Sequence, residues 1–192
     1  MTKSLSAAAA LLVLWPVCVL AQSVDSRVEN IRQRYNSIAE KVRLAETDDD
    51  AAASGEVVVN ELAINTRNRQ WRAVGIYNSN VKFFYTGGDT EESLYPDRLV
   101  FVKMTGNVSA RTVYDELLFS EAGELLFHFR RADGDGPQPD ETRIYFANGK
   151  PIRVNINGKI RDRLTAADAK TAADSLALSR YLKAIFSASL RL

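Results

Sequence analysis

Hydrophobic periodicity changes once along this chain, at Gly55, and that change limits the fold class more than any other feature. Before it, Val24, Val28, Ile31, Tyr35, Ile38, Val42 and Ala45 recur at alternating steps of four and three residues. That spacing predicts one amphipathic helix over residues 22–46, with Ser26 and Glu29 as a capping box. Three heptads are marginal for a free-standing coiled coil, so the helix is expected to pack on its own sheet. Residues 47–55, with Asp48-Asp49-Asp50 and small residues, read as a linker.

After Gly55 the period is two. Eight runs rich in Val, Ile, Phe and Tyr read as strands: 57–66, 70–77, 81–86, 98–104, 111–119, 124–131, 142–146 and 151–156. Asn148-Gly149 and Asn157-Gly158 are two-residue hairpin signals, since both positions need positive φ. Asn78-Ser79-Asn80 and Glu121-Ala122-Gly123 read as longer turns. Strands joined this closely must be antiparallel, and no helical pattern separates them, so a doubly wound parallel sheet is excluded. A final helix is expected over 165–190, capped at Thr165. Its apolar residues form no single stripe, which predicts either a break near Leu176 or cover on two sides.

The expected architecture is one α+β domain over 22–192: an N-terminal helix, an antiparallel meander of about eight strands over 56–163, and a C-terminal helix packed on the sheet. Helices on one side of that sheet would leave the other side as a working surface.

Residues 1–21 read as a secretory signal peptide. Lys3 is their only charge, an apolar run follows, and Val19-Leu20-Ala21 ends in a small residue. The run is too short for a stable membrane anchor, and no integral membrane segment is expected after its removal. Of 192 residues, 171 then remain, enough for one core without staples. The single cysteine, Cys18, leaves with the signal, so disulfides and thiolate chemistry are excluded from the mature chain. A cysteine-free exported domain fits a bacterial periplasm. Without Lys3, 24 basic side chains balance 24 acidic ones, which argues against nucleic acid as a partner.

Few residues point to chemistry. His128 is the only histidine. On a strand it shares a face with Leu126 and Arg130, and Asp115 or Glu116 on the preceding strand could orient it as a general base. Asp115 and Glu116 are adjacent, so they point to opposite faces and form no carboxylate pair. Asp133 and Asp135 begin like a calcium loop, but Pro137 and Gln138 break the pattern. No metal or cofactor motif is present in the sequence.

The aromatic residues are more suggestive, because they concentrate in the strands. Trp71, Tyr77, Tyr85, Tyr114 and Tyr145, with Arg72 and Arg143, are the candidate binding residues on an aromatic sheet face. The expected function is therefore an exported, non-enzymatic binding or interaction domain, monomeric or weakly dimeric. Its partner would be a protein or a small apolar or sugar-like ligand. The alternatives are a small hydrolase using His128 with Glu116 or Asp115, or an apolar-ligand or lipid carrier.

Export is checked by N-terminal sequencing of the secreted product. The expected first residue is Gln22, and a product beginning at Met1 would remove the export reading.

Overall fold

A computed structural model of the chain describes residues 23–72, 75–88, 91, 94–109, 111–133 and 138–191. The signal-peptide reading falls on residues outside that set. Among the described residues no helix is long and apolar enough to cross a membrane.

Helix α1 spans Val24–Thr47 and a short helix α2 spans Asp49–Ala53. The N-cap of α1 is Ser23, whose hydroxyl accepts from the Ser26 amide, so the start lies one turn before the expected capping box. The predicted stripe is the packed one: Val28, Ile31 and Val42 are buried, and Val24, Tyr35, Ile38 and Ala45 pack beside them.

The strands are β1 (Val58–Ile64), β2 (Gln70–Trp71), β3 (Gly75–Gly87), β4 (Pro96–Val108), β5 (Arg111–Phe119), β6 (Leu125–Ala132), β7 (Asp140–Ala147), β8 (Lys150–Ile156) and β9 (Lys159–Arg161). They form one antiparallel sheet in the order β1-β3-β4-β5-β6-β7-β8-β9, with the two-residue β2 also paired to β3. The meander is thus the expected one. Asn148 and Gly149, and Asn157 and Gly158, all hold positive φ, as the hairpin reading required.

Asn78-Ser79-Asn80 is not a turn. It lies inside the 13-residue β3, which joins two of the expected strands. The Asn78 amide donates to Asn68 Oδ1 at 2.6 Å and accepts from the Asn107 amide at 2.7 Å. Cross-strand bonding satisfies the side chain that would otherwise promote a turn.

The helices do not share a side of the sheet. Phe84, Val100, Phe101, Leu118, Phe127 and Tyr145 pack with α1. Phe83, Tyr85, Val102, Leu117, Phe119, Ile144 and Phe146 pack with Ala172, Leu182 and Phe186 of helix α3 (Ala166–Ser189), on the opposite face. The expectation of one open face is therefore replaced by two covered faces. The reason lies in the strands: consecutive residues such as Phe83-Phe84-Tyr85 are all buried, which a sheet with one wet face does not permit.

Register shifts bend the sheet. They fall between Phe84 and Tyr85 and between Thr86 and Gly87 against β4, between Leu118 and Phe119 against β6, and between Tyr145 and Phe146 against β8. Three of the extra residues, Val100, Leu126 and Ile152, join the α1 cluster.

Helix α3 is continuous and packed along one side only, so neither the break near Leu176 nor cover on two sides is found. Its packed stripe is Ala172, Ser175, Ser179, Leu182 and Phe186, largely small or polar, which explains why apolar spacing missed it. Tyr181, 70 % exposed, and Ile185 point to solvent instead. At its start Thr165 and Asp168 form a capping box, and Arg161 grips the same carboxylate at 2.6 and 2.8 Å.

The Arg161 guanidinium, then the Thr165 amide, hold Asp168 well below the usual carboxylate range. A depressed folded value stabilises the fold above the unfolded value, and that stability is lost as pH falls towards the folded one. Asp168→Asn should therefore flatten the loss of stability below about pH 5, where free aspartates begin to protonate. Urea midpoints against pH for both proteins check this, and parallel curves would contradict it.

Candidate functional site

Beneath the N-terminal half of α3 the apolar core gives way to a polar cluster. Asp115 of β5 pairs across the sheet with Arg130 of β6, and Leu117 with His128. Asp115 and His128 are thus diagonal neighbours on the α3 face. His128 Nε2 lies 2.9 Å from Asp115 Oδ1, and His128 Nδ1 lies 2.8 Å from Ser175 Oγ on α3. The Ser175 hydroxyl is also 3.0 Å from the Thr171 carbonyl, one helical turn back. All three side chains are buried, Asp115 completely.

Arg130 shares the face of His128, as expected. Leu126 does not, because the bulge turns it towards α1. Arg130 Nε stands 3.9 Å from Asp115 Oδ1, with its side chain about half exposed (49 %). The other carboxylate oxygen, Asp115 Oδ2, is buried and has no hydrogen-bond partner among the described residues. An unmade hydrogen bond to a buried acceptor costs about 1–3 kcal/mol, which leaves this oxygen the least satisfied atom of the cluster.

Asp115, His128, Arg130 and Ser175 line a cleft of about 520 Å³ between the sheet and α3. Tyr77 and Ser79 of β3, Met104 and Gly106 of β4, Val113, Thr142, Thr171, Asp174 and Leu178 complete its walls. The volume falls within the usual range of small-molecule sites. Asp174 is held by Lys170 at 3.1 Å on the outer surface of α3.

Of the candidate residues, Tyr77 lines this cleft. Trp71 packs against Tyr77 with ring centroids 5.1 Å apart and tilted planes, remains 45 % exposed, and with Arg72 lines a separate shallow depression beside Gln70 and Gly75. Asn65 fixes this corner. Held at positive φ, it donates to the Tyr77 carbonyl at 2.6 Å and to the Arg69 carbonyl at 2.8 Å, closing the loop that leads into β2.

The other four sit elsewhere. Tyr85 is buried against Phe186 under α3, its hydroxyl donating to Asn60 Oδ1 at 3.0 Å. Tyr114, Tyr145 and Arg143 belong to the α1 face. There Tyr114 and Tyr35 both donate to Glu116, and burial first, then those bonds, push both phenols above their usual range. Tyr145 is buried against Phe127, and Arg143 lies over the Phe129 ring at 4.9 Å. Glu116 therefore faces away from His128, and the histidine's partner is Asp115.

Ser175 was invisible from sequence. A serine inside a helix is ordinary, and only its position in the 172-175-179-182 stripe places it on the packed side. Among the described residues no group of three or more His, Cys, Asp or Glu side chains is arranged to hold a metal ion.

Ser175→Ala leaves His128 Nδ1 buried without its partner, a loss expected to cost about 1–3 kcal/mol. Denaturant melts of the two proteins measure it. A change below about 0.5 kcal/mol, the surface range, would show that the network does not anchor α3.

No family model matches this chain, and no match was found among curated proteins or solved structures.

Proposed function

We propose that this is an exported binding domain that captures a small molecule in the cleft between the sheet and α3. The observation that carries this reading is Asp115 Oδ2, a buried acceptor without a partner at a cleft of suitable size. Export rests on the N-terminal sequence pattern. Tyr77 serves as a wall, and Trp71 packs against it from outside the cleft. Tyr85 packs under α3 and Tyr145 accepts from Arg32 of α1, whereas Tyr114 bonds Glu116 and Arg143 pairs with Glu141 within β7. Recognition of a protein partner on an open aromatic face has less support, since both faces carry a helix.

A second reading has its own observation. The chain Ser175–His128–Asp115 has the residue types of a hydrolase relay, at 2.8 and 2.9 Å. Against it, Ser175 sits within a helix, its hydroxyl is engaged with the Thr171 carbonyl, and it is 4 % exposed. A nucleophile needs access to a carbonyl and donors for the oxyanion, and helical amides near Ser175 are already bonded within α3. The network is better suited to fixing Asp115 in place.

Gly106→Leu tests the binding reading, because its side chain would enter the cleft. Gly106 is not at positive φ, and an added Cβ would meet only ordinary contacts, the nearest being the Asn78 carbonyl at 3.6 Å. Small molecules retained from periplasmic extract, identified by mass spectrometry, should be lost from Gly106→Leu while its melting temperature stays near that of the parent. Equal retention would place binding outside the cleft. Turnover of p-nitrophenyl acetate that Ser175→Ala abolishes without a change in ligand retention would establish the hydrolase reading instead.

A further inference from the structure

The chemistry of the cleft also restricts what it can hold. Three kinds of small ligand fit a cleft with a buried carboxylate: a cation, an anion met by Arg130, and a neutral donor. They differ in what they supply to Asp115. Its charge already faces the Arg130 guanidinium at 3.9 Å, and its Oδ1 is bonded to His128. What Oδ2 lacks is a hydrogen bond, not a counter-charge. A cation would add charge beside Arg130, where like charges repel in a poorly solvated site. An anion would meet Arg130 but would also lie next to the unpartnered oxygen of Asp115, which repels it. A neutral hydroxyl avoids both conflicts, donating to Oδ2 while its oxygen can accept from Arg130.

The rest of the lining agrees. Ser79, Thr142 and Thr171 place hydroxyl-bearing residues around the cleft, although the Thr171 hydroxyl donates to the Ala167 carbonyl and is left to accept. Tyr77, which packs at a tilt against Trp71, supplies an aromatic ring to the cleft wall. A saturated ring with hydroxyls at its edge and C–H groups on its face complements both features. The C–H face lies against the aromatic ring, and the edge hydroxyls meet Asp115 and Arg130.

We propose that the ligand is a neutral polyhydroxyl ring, sugar-like in chemistry, bound with a ring hydroxyl donating to Asp115 Oδ2 and its apolar face against Tyr77. This deepens the binding reading and rests on it.

Three probes of one ring skeleton but different charge isolate the inference: methyl β-D-glucopyranoside, glucosamine and glucuronate. Each is titrated into the exported protein by calorimetry. Trp71 fluorescence gives a second readout, since the chain's other tryptophan, Trp15, lies in the segment read as the signal. The neutral glycoside should bind at least tenfold tighter than either charged congener. Asp115→Asn and Tyr77→Ala should each weaken it at least tenfold. Asp115→Asn removes the charge but keeps the shape, and Tyr77→Ala, at the cleft wall, keeps the proposal testable if the first variant fails to fold.

Tighter binding of glucosamine or glucuronate would overturn the neutral class. So would neutral binding that neither variant weakens. If none of the three binds while Gly106→Leu still loses a ligand retained from extract, the polyhydroxyl inference falls and the cleft reading stands. If Gly106→Leu loses nothing, both fall.

Discussion

Phe83 and Phe84 are neighbours in the chain, and both are cut off from water, one beneath α3 and the other beneath α1. The same happens at Leu117 and Leu118, and at Ile144, Tyr145 and Phe146. A strand that is apolar on both faces cannot leave either face wet. The sheet must be covered twice, and the chain supplies one long helix before it and one after it. Burying each of these side chains is worth about 1.5–3 kcal/mol in water-to-core transfer, so the two covers are energetically comparable demands. The layer order helix, sheet, helix follows from this.

Two-sided cover also decides where space remains between the sheet and a helix. The α1 face is filled mostly by large side chains and by the tyrosine pair on Glu116, and it carries one depression of about 480 Å³ at Arg34, Ile38 and Val100 and another of about 170 Å³ at Tyr35, Arg143 and Tyr145. On the other face α3 changes character along its length. Leu182 and Phe186 fill the space against the sheet near its C-terminus, whereas Ala172, Ser175 and Ser179 are small. Where α3 is small and the facing strands carry Ser79, Gly106, Asp115 and His128, the interface is no longer filled by hydrocarbon and a cleft remains. The serine–histidine–aspartate network then has a structural consequence. It ties α3 to β5 and β6 at the cleft and fixes the direction of Asp115.

Polar side chains also correct local sequence signals. Asn78 looks like a turn former, yet its amide bridges Asn68 and Asn107 across three segments. Tertiary hydrogen bonding overrode a local preference worth less than the bonds it made. The α3 stripe shows the converse case. Two serines occupy packed positions because His128 and helix carbonyls satisfy their hydroxyls, so a search for apolar residues finds the wrong face.

Periodicity and turn chemistry alone determined the element types, the antiparallel meander, the packed stripe of α1 and the hairpins at Asn148-Gly149 and Asn157-Gly158, because those depend on residues near one another in the chain. They also set Asp115 and Glu116 on opposite faces, with one of the two within reach of His128, since alternation along a strand is a local rule, but which of them the histidine meets came from the structure. Consecutive apolar runs such as Leu99 to Val102 already carried the signal of two-sided burial. Only the tertiary structure decided which helix covers which face, which aromatic residues pack and which line a cleft, and that Ser175 reaches His128 across 47 residues of sequence. Those outcomes depend on how α3 lies across the sheet, and its position is set by the fit of small and large side chains distant in the chain, which no local pattern encodes.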